Sequence, residues 1–562
     1  MGVCQSGEDI AAWGDDGEMV GDQQRGSISR ANKKTGEVED YDPADGNHPD
    51  EDFFEFEEEE VTLESKEFMA VKPWIGAVKE PDNHPEVDKS QPDATYTLEH
   101  AYGYRCEDSR QNVFYNNDGK VVYMTACLGV ILDKESNTQT FFGGGEVDNA
   151  SKQVSSTANS HNNDIMSLKV NISGGRNIAA TGQVGKNAPA FTWDTTTGEK
   201  IHRIALAKNE RGVAAIAISP DGSHVMTADN HNDHHVTIWN MASKSVVMRD
   251  KGGPDPIFDL AFTKQEGKIA GWSAGKKHIA YWDLEKGKKK KGIFGGKEQT
   301  SFAAVDADDT GRAFTGAANA LIYVWQGNSC KEVLGYHERG FIGAIVYTEG
   351  MLYSGGKDGR VCVIDGSSLE CTKAINFGTL PRAIDVHAGK LVVGLRTGQI
   401  IECDLESEEM PPLMESHNDG EVWGLTMDDA FVYTSGDDNQ VKKWDPASRT
   451  CVTTGIVTNE ERKAKRNRAS TLGSKPDSQS SRALAISPNG HLAICANDGH
   501  VYIKSTDDME TVLFELTDSL EWIEAAEYSP DGGILAVGSH DTNIYLYDAN
   551  ADYALVGTCD KH

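Results

Sequence analysis

The sequence predicts an all-β protein built from repeated four-stranded units, the architecture of a β-propeller. Short apolar stretches closed by Trp193, Trp239, Trp282 and Trp325 recur at intervals of 46, 43 and 43 residues. This interval is the period of a four-stranded propeller blade. Each interval holds three or four short alternating strands with tight turns between them, which leaves no room for long helices.

Turns of the Ser-Pro-Asp-Gly type separate strands inside a unit. Residues 219–224 read SPDGSH, and similar turns stand at 487–492 and 529–534. Proline fixes φ, and glycine supplies the positive φ that a tight hairpin requires. Together with two or three strands predicted over 112–133, the strands that close the units indicate about ten blades: FTWD (191–194), VTIWN (236–240), IAYWD (279–283), IYVWQ (322–326), VCVID (361–365), IIECD (400–404), VKKWD (441–445), VYIKS (501–505) and IYLYD (544–548).

The first 60 residues are predicted to form a disordered acidic tail. Residues 1–68 hold 21 Asp and Glu against 5 Lys and Arg, in a chain of net charge −34. Such a composition buries too little apolar surface to offset the entropy of the chain. The stretch DEDFFEFEEEE (50–60) is either a solvated acidic linker or a docking peptide that presents its three Phe side chains.

Composition and motifs argue against several classes of protein. No apolar run approaches the roughly 18 to 20 residues that cross a bilayer, and the start lacks a secretory signal, so we expect the chain on the cytosolic side. The acidic balance disfavours nucleic-acid binding. The ten Cys are scattered singly, and DNHNDHH (229–235) suits a hairpin loop, so we expect no metal site. Catalytic signatures such as G-x-S-x-G are absent, so we expect no enzyme activity, cofactor or small-molecule substrate.

A buried polar chain is predicted inside the blades. A His near the outer strand, an Asp in the following turn and the closing Trp can hydrogen-bond in series and fix the turn. His417, Asp438 and Trp444 have suitable spacing for this chain. His337 and Asp358 do too, although an isoleucine replaces the tryptophan in that unit.

The segment before the blades contains FMAVKPWIGAVKEP (68–81) and YTLEHAYGYRCEDSRQNVFYNNDGKVVYMTA (96–126), with a YGYR core at Tyr102, Gly103, Tyr104 and Arg105. These stretches resemble the HELP motif of the echinoderm microtubule-associated protein-like family. Further stretches of the chain match as well, so that the resemblance covers about residues 61–562: ATGQ (180–183), EVWGL (421–425) and LAVGSHDTNIYLYD (535–548).

The resemblance implies tandem WD40-type propellers, with the HELP core where two domains join. We expect the HELP segment and first blade at 61–135, a first propeller at 136–400 and a second at 401–562. Family members with two propellers carry more than ten blades. We therefore expect a second propeller that is incomplete in this chain, with GTCDKH beginning the next blade's outer strand; the alternative is a ring that closes with fewer blades.

The family resemblance implies a non-catalytic scaffold that binds tubulin, microtubules or associated proteins in the cytoplasm, cytoskeleton, cilium or membrane-proximal cortex. The acidic tail lacks the coiled coil and basic segment of many members, so we expect contact through the propellers. Lys288, Lys289, Lys290 and Lys291 stand in KGKKKKG (286–292). This run is either a solvated loop between blades or the site that meets an acidic partner such as a tubulin tail.

Two further motifs concern modification. MGVCQS fits N-myristoylation at Gly2, and Cys4 offers a second acylation site, which matters because one myristoyl chain binds membranes only marginally. The alternative function is therefore a lipid-anchored adaptor that does not bind tubulin. The basic insertion at 460–482 places Ser470 in an R-x-R-x-S pattern, which suits phosphorylation; the alternative is a neutral insertion.

Overall fold

The structure, a computed structural model, is all-β over the part that it describes. It describes the backbone of two short strands, Ile28–Ala31 and Val38–Tyr41, and residues 97–144, 159–185, 188–206, 211–263, 269–457 and 480–560. The two short strands pair antiparallel in a unit that spans Gly26–Glu99. They fall inside the segment predicted to be a disordered tail, and the rest of that segment lies outside the described residues.

The described residues from His100 onward form ten four-stranded antiparallel sheets, each a meander in chain order, which confirms the predicted fold class and blade number. We number these sheets as blades 1 to 10. Blade 1 contains Phe114–Tyr115, Val121–Thr125, Leu128–Asp133 and Thr138–Phe142; blade 2 contains Ile165–Val170, Ile178–Gln183, Pro189–Asp194 and Lys200–Ala205, with a 3₁₀ turn at Ile172–Gly174; blade 3 contains Val213–Ile218, His224–Asp229, His235–Asn240 and Ser245–Lys251; blade 4 contains Ile257–Phe262, Ala270–Gly275, His278–Asp283 and Lys288–Lys291; blade 5 contains Phe302–Ala307, Arg312–Ala317, Ile322–Gln326 and Ser329–Leu334.

The remaining blades follow the same plan. Blade 6 contains Ile342–Thr348, Met351–Gly356, Arg360–Asp365 and Cys371–Asn376; blade 7 contains Pro381–His387, Lys390–Leu395, Ile400–Asp404 and Pro412–Met414; blade 8 contains Val422–Met427, Val432–Gly436, Gln440–Asp445 and Thr450–Ile456; blade 9 contains Ser481–Ile486, His491–Ala496, Val501–Ser505 and Val512–Leu516; blade 10 contains Ile523–Tyr528, Ile534–Ser539, Ile544–Asp548 and Ala554–Cys559. No helix in the described part of the chain is long and apolar enough to cross a lipid bilayer.

Blades 1 to 7 form a closed ring. The first strands of blades 2 to 7 pack side by side in order, the first strand of blade 7 then contacts that of blade 1, and blade 1 contacts blade 2. Blade 1 therefore closes the ring between the first and last of the other six blades. Closure covers the apolar faces of these sheets, which stack against their neighbours in continuous clusters.

Buried charges link neighbouring blades around this ring. The Asp259 carboxylate accepts a hydrogen bond from Val305 N at 2.9 Å, so that blade 4 is tied to blade 5. In the same way Asp385 of blade 7 accepts from Tyr115 N of blade 1 at 2.8 Å. Arg176 of blade 2 is ion-paired with this Asp385. One buried ion pair thus holds the position where the ring closes.

Blades 8 to 10 continue as a row in which each first strand packs against the next. The tryptophan-bearing strand is the third of its sheet, and a fourth strand follows it at the outer edge. The expectation that GTCDKH begins the next blade's outer strand is wrong, because Ala554–Cys559 pairs with Ile544–Asp548 as the fourth strand of blade 10.

Candidate functional site

The polar chain of blade 8 contains the three predicted residues and one that the sequence analysis missed. His417 Nδ1 lies 3.0 Å from the Asp438 carboxylate, and His417 Nε2 lies 2.9 Å from Thr434 Oγ1. Trp444 Nε1 donates to the same Thr434 hydroxyl at 2.8 Å. The chain therefore runs from the turn through His and Thr to Trp, and joins the second and third strands.

Other blades repeat parts of this chain. His337 lies 2.9 Å from both the Asp358 carboxylate and Ser354 Oγ, in the unit that lacks the tryptophan. In blade 2 the chain holds His161, with a glutamine in place of the aspartate. Hydroxyls on the second strands also accept from the indole nitrogens of the other closing tryptophans: Thr181 from Trp193, Thr227 from Trp239, Ser273 from Trp282 and Thr315 from Trp325.

The four residues of the HELP core lie where blades 1, 2, 7 and 8 meet. The Tyr102 ring is edge-on to Trp444 of blade 8, with 4.9 Å between centroids. Gly103 has φ of +105° and its N–H points to a methionine sulfur of blade 7 at 3.2 Å. The Tyr104 hydroxyl donates to the carbonyl of Leu395 in blade 7 at 2.7 Å.

Arg105, the fourth residue of the HELP core, carries charge into this junction. It is ion-paired with Asp108 at 2.6 Å and with Asp164, next to blade 2, at 2.8 Å. The glycine before Tyr104 permits the left-handed backbone that a side chain would strain. Arg105 N also donates to the carbonyl of Met124 in blade 1 at 3.2 Å, so these four consecutive residues contact blades 1, 7 and 8 and the residue before blade 2.

Glu107, two residues after the HELP core, interacts with Asp419 at the boundary with blade 8. Burial, together with the negative charges of Asp419 and Asp108, raises the pKa of Glu107 to about 7. Near neutral pH this group therefore holds its proton much of the time and can donate to the Asp419 carboxylate. Deprotonation would leave two negative charges facing each other at this boundary.

The lysine run at 288–291 is the fourth strand of blade 4, so the expectation of a loop there is wrong. It pairs antiparallel with the tryptophan-bearing strand, Lys288 opposite Asp283 and Lys291 opposite Ala280. Lysines are poor strand formers, but at a sheet edge they discourage pairing with another chain. Pairing with the preceding strand therefore decides the conformation of this run, despite the low strand propensity of lysine.

The four lysines divide into two kinds. Lys289 is ion-paired with Asp250 of blade 3 at 3.2 Å, and Lys290 with Asp283 at 3.1 Å. Lys288 and Lys291 are exposed, and no ion pair of theirs is seen among the described residues. The outer edge of blade 4 therefore offers two solvent-facing cations to a partner, rather than four.

The three predicted modification sites, Gly2, Cys4 and Ser470, lie outside the described residues.

The His-rich stretch DNHNDHH spans the turn between the second and third strands of blade 3, where Asp229 Oδ1 accepts from His231 N and His235 N. Such hydrogen bonds are the ordinary chemistry of an Asp turn.

The fold and the polar chains define a WD-repeat β-propeller protein that carries a HELP motif. A profile described as the echinoderm microtubule-associated protein first β-propeller matches residues 159–385, the HELP motif matches 91–130, and the WD domain G-β repeat matches 411–445 and 511–548. The chain is 44% identical over 516 residues to the ciliary WD repeat-containing protein ctxp80 of Euplotoides octocarinatus, covering 91% of this chain and 72% of that protein.

More distant relatives are named echinoderm microtubule-associated protein-like. Identity is 27% to mouse echinoderm microtubule-associated protein-like 1, over 85% of this chain and 57% of that protein. It is also 27% to human echinoderm microtubule-associated protein-like 2, over 84% of this chain and 70% of that protein. The chain belongs to the echinoderm microtubule-associated protein-like family, as its HELP core and blades predict.

Proposed function

We propose that this chain is a non-catalytic scaffold that binds tubulin or microtubules and organises the microtubule cytoskeleton. Family membership supports this proposal, and one structural observation indicates which surface binds the partner. In a chain of net charge −34, the fourth strand of blade 4 exposes Lys288 and Lys291 at a sheet edge. An acidic partner is drawn to such a local positive edge by electrostatics.

The arrangement of the blades supports binding rather than catalysis. Two small cavities along the inner strands of the ring have volumes of about 30 and 50 Å³. Lys169, which lines both cavities, pairs with Asp259 at 2.9 Å. Loops and outer strands on a rigid ring are suited to contact with proteins.

We assign the chain to the cytoplasmic microtubule cytoskeleton, with the cilium as one location. The named relatives are microtubule-associated proteins, and the relative with 44% identity is called ciliary. Acylation of MGVCQS would instead favour a membrane-anchored adaptor, which is the second candidate function. The two functions differ in whether the blades themselves bind tubulin.

Co-sedimentation with microtubules over a salt series tests the proposal. We expect the protein to pellet at low salt and to be released as ionic strength rises, because exposed charges are screened over about 10 Å at 0.1 M salt. Removing the acidic tubulin tails by limited proteolysis should weaken pelleting. Absence of pelleting at low salt, with no tubulin recovered in pull-downs, would contradict the proposed function.

A further inference from the structure

The first strand of blades 2 to 10 contains a β-bulge at one equivalent position. There the pairing register shifts by one residue, and the extra residue has no paired residue on the neighbouring strand. We call these the rim residues: Met166, Ala214, Phe258, Ala303, Gly343 and Arg382 in the closed ring, and Trp423, Arg482 and Glu524 in blades 8 to 10.

In the closed ring a bent segment of the chain itself, residues 108–111, lies over part of the rim. The Arg110 guanidinium carbon is 5.4 Å from the centroid of the Phe258 ring. Gln111 N donates to the carbonyl of Arg382 at 2.9 Å. Phe258 and Arg382 are only 9% and 6% exposed. This rim therefore hydrogen-bonds a backbone segment and seats a cation on an aromatic rim residue.

In blades 8 to 10 the equivalent rim presents a ladder of aromatic rings and arginine. The Arg482 guanidinium carbon lies 4.4 Å from the Trp423 ring centroid and 4.7 Å from that of Trp522, the residue just before the first strand of blade 10. The Trp522 ring also stacks on that of His540, with 5.1 Å between centroids. Yet Trp423 and Trp522 remain 39% and 40% exposed.

Around this ladder of rings the carboxyl groups outnumber the cationic side chains. The Asp437 carboxylate accepts from Trp423 Nε1 at 3.3 Å. Burial and the charge of Asp437 raise the pKa of Glu421, so that these two groups crowd each other. Glu524 bridges Arg482 at 3.6 Å and the neighbouring histidine at 3.0 Å. A positively charged ligand would relieve this excess of negative charge.

We infer that the rim of blades 8 to 10 binds a cationic peptide segment of a partner protein, with an arginine or lysine seated against Trp423. The supporting precedent is inside the molecule, where Arg110 lies over Phe258 at the equivalent position. Exposed Trp and Arg side chains are typical of interface hot spots. This site takes a partner of opposite charge to the one proposed for the lysine strand of blade 4.

A pair of peptides tests the inference on the full chain. The probe is an acetylated octapeptide of alternating arginine and serine, and the control has citrulline in place of each arginine, which keeps the shape and removes the charge. Binding is measured by fluorescence polarisation at 0.15 M salt. Hydrogen-exchange mass spectrometry then locates the contact on the chain.

The expected result is binding of the arginine peptide, no binding of the citrulline peptide, and new protection at 421–425 and 519–525. Trp423→Ala should weaken binding about three- to fivefold, the size of an exposed cation–π contact, whereas Leu555→Ala on the outer strand of blade 10 should not. Equal binding of both peptides, or protection confined to the acidic residues 1–60, would overturn the inference. If Trp423→Ala does not fold, the exchange pattern of the unaltered protein decides.

Discussion

Replacing Thr434 by valine should destabilise its blade more than the same change at a hydroxyl that serves one ring, because Thr434 serves two buried rings. Thr434 Oγ1 lies 2.9 Å from His417 Nε2 and 2.8 Å from Trp444 Nε1. Valine keeps the shape but leaves both nitrogens without a partner. Each buried polar group left unsatisfied costs about 1 to 3 kcal/mol. We expect about 2 to 6 kcal/mol in total, since both rings are almost fully buried.

Thr315→Val is the matched control for this prediction. Its hydroxyl accepts from Trp325 Nε1 at 2.9 Å, and no histidine is seen beside it in the described residues. The same reasoning gives a cost of about 1 to 3 kcal/mol there, because one nitrogen loses its partner. A chain with ten blades need not unfold in one step, so the assay must be local.

Native-state hydrogen exchange measures the opening free energy of each blade separately. The second strand of blade 8, Val432–Gly436, should lose roughly twice as much protection free energy in Thr434→Val as Arg312–Ala317 loses in Thr315→Val. Exchange at Tyr102 should also rise, because its ring rests on Trp444. Equal losses in the two variants would refute the idea that the hydroxyl links two groups.

Two other perturbations test the junction and the N-terminus. Because the pKa of Glu107 is raised to about 7, its proton stabilises the contact with Asp419 at acidic pH, and this contribution is lost as pH rises from about 5 through 7. Protection factors at 418–421, which remove the intrinsic rise of amide exchange with pH, should therefore fall between pH 6 and 8, and Glu107→Gln should remove that fall; a fall that persists in the variant would contradict the assignment. If MGVCQS is acylated, Gly2→Ala should release the protein from membrane fractions, and an unchanged distribution would count against a lipid anchor.

The repeat made most of the fold predictable from sequence. Its period, turns and tryptophans give the class and the number of sheets, because each blade is a local meander whose strands are neighbours in the chain. His417, Asp438 and Trp444 could be grouped for the same reason, since their spacing is set within one blade. Closure of the ring by blade 1 depends on contacts between distant segments, which no local pattern reveals.

The residues that sequence reasoning missed have weak local signals. Thr434 carries one hydroxyl among many on β-strands. Only the recurrence of a Thr or Ser 9 to 12 residues before each closing tryptophan distinguishes this position. Lys288–Lys291 is a run of charge between two apolar stretches, which favours a solvated loop, but pairing with the preceding strand decides its conformation. The rim residues depend on a bulge, a feature of register rather than of residue type.

The central claim is that the exposed lysines of blade 4 bring the scaffold to tubulin, and a charge-matched comparison of microtubule affinity tests it most directly. The test variant is Lys288→Glu with Lys291→Glu. The control is Lys200→Glu with Lys331→Glu, which makes the same change in net charge on the outer strands of blades 2 and 5. At low salt the test variant should bind microtubules at least fivefold more weakly than the unaltered protein, and the control within about twofold. Equal loss in both variants, or no loss in either, would contradict the claim.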